Sequence, residues 1–294
     1  MSRPVTAKGL FTKGIEGPAS PSASDLFVVN FKEQGTIGRI PIAGNKEPEI
    51  YVKLPKGSIG NAIRFDRDGR MFVADYKKHN ILEVVKTPDG KMEARILFTS
   101  PAFHQPNDLT TARDGTLYAS DPFWKKRTGK LWKISRTANG EVVGTELRAK
   151  RKLGPVNGID LSPDDQTLFV SESFSREIWS YQVAGDELKD PKLVIKFKDF
   201  DVDGLRVDQA GRIFVTRIEK GTIAIVRPDG SVEREVATTA KEPTNLAFGG
   251  SDGKTVFVTQ RAGGYVESFR AEHPGREWCL LVVNHAHESC SIKR

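Results

Sequence analysis

Cysteine is almost missing from this chain of 294 residues: only Cys279 and Cys290 occur, both near the C-terminal end, so the body of the fold uses no disulfides. Such sparse thiol usage fits a reducing compartment. No apolar run approaches the roughly 18–20 residues that a bilayer span needs. Met1 to Phe11 also lacks the uninterrupted apolar core of a secretory signal, and the expectation is a cytoplasmic protein without a membrane partner. Equally absent are G-x-S-x-G, a Gly-rich phosphate loop and G-x-G-x-x-G, which removes the common nucleophile-elbow and nucleotide-binding readings. His285-Ala286-His287 with Cys290 is too small a set for a zinc site and reads as part of a flexible terminus.

Charge of one sign is not dominant either. The 45 basic residues exceed the 38 acidic ones by 7, and the excess is spread along the chain. Lys125-Lys126-Arg127 and Arg148 to Lys152 are the densest basic clusters, but no basic stripe interleaves with aromatics, so a nucleic-acid partner is not expected. Solvated loops account for these clusters, and a mild pull on anionic ligands is compatible with them.

What the chain does have is a unit repeated six times. Its openings are Ile15-Glu16-Gly17-Pro18, Gly60-Asn61-Ala62-Ile63, Pro106-Asn107-Asp108-Leu109, Val156-Asn157-Gly158-Ile159, Val202-Asp203-Gly204-Leu205 and Thr244-Asn245-Leu246-Ala247. A period of about 40–50 residues marks stacked or radial repeats. After each opening an apolar run leads to a polar turn, such as Asp66-Arg67-Asp68-Gly69 or Asp208-Gln209-Ala210-Gly211, and then to a second apolar run. Asp caps such a turn and Gly supplies positive φ, so each unit begins with a β-hairpin. Third strands such as Ile178-Trp179-Ser180-Tyr181 and fourth strands such as Ala94-Arg95-Ile96-Leu97 follow. Four strands in each of six units predict an all-β, six-bladed β-propeller, one domain over 1–294 with an irregular tail at 276–294. The outermost strand of the last blade is expected either from that tail or from Val5 to Phe11.

A radial array sends Glu16, Asn61, Asn107, Asn157, Asp203 and Asn245 toward one axis. Repeated Asn alone would be explained by turn chemistry. Glu16 and Asp203 argue for more, since two carboxylates on a narrow axis repel unless a cation or a proton lies between them. With Asn carboxamides they form an all-oxygen set suited to Ca²⁺, Mg²⁺ or Mn²⁺. The returning strand ends Asn30, Asp75, Asp121, Glu172, Arg217 and Gln260 are all polar and are expected to form a neighbouring ring at the same mouth. His104, three residues before Asn107, is read as reaching that mouth on the substrate side.

At these residues the sequence resembles the gluconolactonase and regucalcin (senescence marker protein) family of six-bladed metal-dependent hydrolases. Glu16-Gly17-Pro18, Pro106-Asn107-Asp108-Leu109, Ser120-Asp121-Pro122, Asn157-Gly158-Ile159, Asp203-Gly204-Leu205 and Pro243 to Gly250 carry the likeness, in order and in spacing. The resemblance implies one divalent cation, calcium first and Mg²⁺, Mn²⁺ or Zn²⁺ as alternatives, held by Glu16, Asn157 and Asp203, with Asn107 as a further ligand or substrate contact. It implies Asp203 as general base or nucleophile and Asp121 as an aspartate that either supports the site from behind or faces the substrate. Regucalcin-type sugar lactonases carry an arginine two positions before the blade-three asparagine, where this chain has Gln105. The implied activity is metal-dependent hydrolysis of a small lactone or ester. A phosphotriesterase using the same site, and a non-catalytic binding propeller with a structural metal, are the alternatives.

Overall fold

The computed structural model of the protein describes residues 1–44, 46–282 and 290. It has six antiparallel sheets arranged as a six-bladed propeller, one sheet for each repeat. In the second blade the strands run Gly60–Phe65, Met71–Asp75, Asn80–Lys86 and Met92–Thr99 from the axis outward. Their hairpin closes as the sequence dictates: the Asp66 carboxylate accepts the N–H groups of Asp68 and Arg70 at 3.0 Å each, and Gly69 takes φ 77°. The fifth blade repeats this device at Asp208 and Gly211. The fragment Asp66-Arg67-Asp68-Gly69 is thus a turn. Two blades depart from the four-strand pattern. The first has three strands, Asp25–Val29, Thr36–Pro41 and Glu49–Lys53. Its axial position is filled by the irregular Glu16–Ala19 segment, tied on by reciprocal Ala19 and Phe27 backbone bonds of 2.9 and 2.8 Å. The fourth gains a short parallel edge strand, Arg148–Ala149, against Glu187–Lys196.

The ring is closed by the N-terminus, but not by the segment expected. Arg3–Pro4 pairs with Tyr265–Arg270, Arg3 opposite Ser268, and Val5 to Phe11 runs on past this strand toward the first blade. Among the described residues the tail supplies no strand. Arg276–Val282 is a helix, because its apolar side chains have a place to go that an edge strand would not give them. Trp278 and Cys279 are buried with Phe214, Phe248 and Phe269, and the indole packs so closely on Gly253 that any Cβ there would collide with it. Arg276 donates to the Thr111 carbonyl at 2.6 Å and also reaches Asp165. Gly253 and Asp165 belong to hairpin turns at the ends of the strands remote from the repeat openings, so the helix covers the opposite end of the axis. Cys279 is joined to Cys290 by a disulfide, a pairing that an oxidising compartment favours. His285 and His287 lie outside the described residues. Among the described residues no helix is long and apolar enough to cross a membrane.

Candidate functional site

The repeated Asn, Asp or Glu lies within the first three residues of the inner strand in blades two, four, five and six, just ahead of it in blade three (Asn107 before Leu109–Thr111) and in the irregular axial segment of blade one (Glu16), and the backbone is irregular there. The pairing register shifts between Gly60 and Ala62, Val156 and Ile159, Val202 and Leu205, and Pro243 and Leu246. A bulge of this kind re-aims a side chain that a regular pleat would send into the blade. The glycines that follow three of these residues have a physical reason. A Cβ on Gly17 would strike the Ala62 backbone, one on Gly158 the backbone of Gly204–Leu205, and one on Gly204 the side chain of Asn245. Glu-Gly, Asn-Gly and Asp-Gly therefore mark places where adjacent blades meet at the axis with no room for a side chain.

Five of the six repeated residues, Glu16, Asn61, Asn107, Asn157 and Asp203, line one cavity of about 420 Å³ at the mouth of the axis. Asn245 is not among the lining residues. It is fully buried, with its amide nitrogen 3.4 Å from Asp108 and a hydrogen bond to the Glu16 carboxylate, so it acts as a strut beneath the site. The Asn157 amide donates to Ser173 Oγ at 3.0 Å, which leaves its carbonyl oxygen for the cavity. Asn61 donates to the Asn107 carbonyl at 3.3 Å.

Burial pushes the Glu16 carboxyl well above its ordinary range, and the neighbouring Asp203 and Asp108 charges push the same way, against hydrogen bonds from Gly17 and Asn245. Burial raises Asp203 to about 7, opposed by a hydrogen bond from Asn157 and the Arg261 charge. The charges deeper in the axis balance instead. Asp108 lies 2.9 Å from Arg64 and 2.7 Å from Arg206, while Asp160 and Glu277 face Arg276 and Arg64 at 3.6 and 3.8 Å. Three carboxylates against three guanidinium groups leave Glu16 and Asp203 as the pair without a buried counter-ion. Asn107 Oδ1 is in addition a buried acceptor with no hydrogen-bond partner. Two uncompensated carboxylates and an orphaned carboxamide oxygen in one cavity fit a hard divalent cation. Among the described residues no group of three or more His, Cys, Asp or Glu side chains is placed to hold a metal. The candidate donor set is accordingly two carboxylates with carboxamides.

Of the residues expected on the substrate side, Asn107 lines the cavity and Asp121, Gln105 and His104 do not. Asp121 is buried and accepts the backbone N–H groups of His104 and Gln105 at 2.9 and 2.6 Å and the indole N–H of Trp132 at 3.2 Å. It anchors the loop ahead of Asn107. His104 stacks on Phe123 at 4.2 Å, and neither it nor Gln105 nor Asp121 is among the residues lining the cavity. The other strand ends behave like Asp121. Asp75 accepts N–H groups from Ile59 and Lys78, Glu172 pairs with Arg151, Arg217 reaches Asp199 at 2.8 Å, and Gln260 reaches Glu267 at 2.8 Å. None of the six lines the cavity, because each is spent on holding a mouth loop.

Sequence reasoning missed the hydroxyls just before these ends. Ser120 donates to the Asn157 carbonyl and Ser171 to the Asp203 carbonyl, both at 2.6 Å, and Thr216 donates to the Thr244 carbonyl at 2.9 Å. Each staples the opening of the next blade. The signal was present as Ser or Thr directly before the polar strand end in blades three to six.

Residues 16–262 match the family described as SMP-30/Gluconolactonase/LRE-like region. The chain belongs to that family of six-bladed propellers. It is 24% identical over 243 residues to a gluconolactonase of Zymomonas mobilis subsp. mobilis, covering 74% of this chain and 65% of that protein. It is likewise 24% identical over 254 residues to the pentonolactonase XacC of Haloferax volcanii, covering 84% and 81%. Among solved structures, a calcium-binding regucalcin of Agrobacterium tumefaciens superposes with a TM-score of 0.72 at 19% identity, covering 92% of this chain and 93% of that one.

Proposed function

We propose that the protein hydrolyses a small lactone at the mouth of the axis, with a divalent cation held by Glu16, Asn107, Asn157 and Asp203. The observation that carries this is the pair of half-buried carboxylates, Glu16 and Asp203, that form no ion pair and lie beside the orphaned Asn107 oxygen. The names of the relatives, gluconolactonase and pentonolactonase, support lactones as the substrate class. All-oxygen donors favour calcium among the candidate ions. When bound, the cation supplies positive charge beside the substrate carbonyl, where the reaction develops negative charge.

The chain's own residues do the rest. Asp203 accepts a proton from a water molecule whose oxygen adds to the carbonyl carbon. The ring C–O bond then breaks, and the ring oxygen takes up the proton that Asp203 holds, leaving a hydroxy acid. Gly17 N–H, 2.8 Å from Glu16 Oε2, and Asn245 orient the Glu16 carboxylate. Ser173 orients Asn157, and Ser171 pins the backbone of Asp203.

A panel of glucono-δ-lactone, an aryl ester and a phosphotriester, run with chelator and with added calcium, tests the proposal. Lactone hydrolysis that needs the cation is the expected result. Preferential phosphotriester hydrolysis, or no turnover beside a tightly bound cation, would replace it with one of the alternative activities of the same fold.

A further inference from the structure

The cavity has one wall that the lactonase reading does not use. Trp124 sits in the short helical turn Trp124–Lys126 that follows the second strand of blade three. Phe174 sits in the turn after Glu172 of blade four. Their rings are 5.7 Å apart and tilted by 59°, and both line the cavity. They rise from the same two blades that carry Asn107 and Asn157. Phe174 is 42% exposed despite its size, and the Arg127 guanidinium lies over its ring at 5.3 Å. Tyr76, Ile15, Val202 and Ile218 add further apolar surface to the cavity.

Two features bear on what such a wall selects. A substrate carrying many hydroxyls needs a hydrogen-bonding group for each one it buries, and the Trp124–Phe174 side offers ring faces. Charge does not select strongly once a divalent cation offsets Glu16 and Asp203, because Lys13 and Arg261 at the cavity are matched by Asp201 and Glu219.

Resting on the lactonase reading above, we infer that Trp124 and Phe174 are specificity-determining residues that favour a lactone fused to a flat apolar ring over a polyhydroxylated sugar lactone. The fused ring lies against the wall that the two touching side chains form, while the lactone carbonyl points to the Glu16 and Asp203 end of the same cavity. An aromatic contact of this kind contributes about 0.5–1.5 kcal/mol beyond the area it buries.

The test uses the full chain supplied with calcium and three substrates: dihydrocoumarin as the aryl-fused lactone, δ-valerolactone as a small plain one, and glucono-δ-lactone. The expected result is that kcat/KM for dihydrocoumarin exceeds that for glucono-δ-lactone by roughly tenfold or more. Trp124→Ala and Phe174→Ala should each raise KM for dihydrocoumarin about tenfold, with a much smaller effect on δ-valerolactone. Phe174 is exposed enough that its truncation leaves the fold intact, and equal melting temperatures verify this. A preference for glucono-δ-lactone, or equal losses on all three substrates in both variants, would overturn the inference while the lactonase reading stands. No turnover of any of the three by the wild type would remove both.

Discussion

Arg206 of blade five reaches across the axis to Asp108 of blade three, with a nitrogen–oxygen distance of 2.7 Å between residues 98 positions apart in the chain. Arg64 of blade two meets the same carboxylate at 2.9 Å. All three side chains are buried, so the centre of the propeller is an ion cluster in which each axial carboxylate faces a guanidinium, although burial still raises Asp108 to about 7. The two carboxylates at the mouth have no such guanidinium partner.

Asp108→Asn keeps the shape but leaves Arg206 buried without its anion and Arg64 with Glu277, 3.8 Å away. Removing one partner of a buried ion pair costs about 3–5 kcal/mol. Urea denaturation of the variant should show a loss of that size, whereas Asp229→Asn, in an exposed turn, should shift the midpoint little.

The pH dependence of the metal-free protein follows from raised carboxyl groups, Asp108, Asp160 and Glu277 deeper in the axis among them, and the part that calcium reverses follows from two. Glu16 and Asp203 both have folded-state values above those of the unfolded chain, Asp203 at about 7 against 3.8. Between these values the folded form binds more protons than the unfolded form, so stability is greatest at the acidic end of that window and falls as pH rises through about 7. In chelator, the melting temperature should decline between pH 5 and pH 8. Calcium should restore it at pH 8 and do little at pH 5, where protons occupy the same oxygens.

Asp203→Asn preserves a ligand oxygen and removes the proton acceptor. Loss of a general base slows the chemical step by roughly 10²–10⁴-fold. Steady-state kinetics on any lactone that the wild type hydrolyses should show that loss in kcat; turnover within a few-fold of wild type would remove Asp203 from the catalytic role.

Ser173→Ala tests the support of a ligand. Without Oγ the Asn157 carboxamide is free to turn its nitrogen toward the cavity. Partners of metal ligands typically account for about 10–100-fold in affinity. Calcium binding should weaken toward the lower part of that range, and Ser173→Thr, which keeps the acceptor, should restore most of it.

Much of this architecture was legible because it is local. A turn such as Asp66 to Gly69 is closed by bonds within four residues, and the repeat spacing places one such turn in each blade. The convergence of Glu16, Asn61, Asn107, Asn157 and Asp203 on one cavity likewise needs only equivalence of position. What failed to be legible depends on partners far away in sequence. Asn245 shares the repeated position, yet its amide turns to Asp108, 137 residues earlier. The family resemblance offered Asp121 as a substrate-side or supporting aspartate, and the loop carrying His104 and Gln105 folds back and consumes its oxygens, which leaves it the supporting place. The tail has too short a pattern to declare a helix, and only the Gly253 surface and the pocket for Trp278 make one favourable. Trp124 and Phe174, 50 residues apart, are adjacent only because blades three and four are neighbours.

The central claim is that Glu16 and Asp203 leave a charge that one divalent cation compensates. Calorimetric titration of the metal-free protein with calcium at pH 7, repeated in buffers of different ionisation enthalpy, measures this directly. The account predicts binding of one equivalent with release of protons, since raised carboxyl groups must ionise to become ligands, and marked weakening in both Glu16→Gln and Asp203→Asn. Absence of binding by calcium, magnesium, manganese and zinc alike, or binding that both variants leave unchanged, would contradict it.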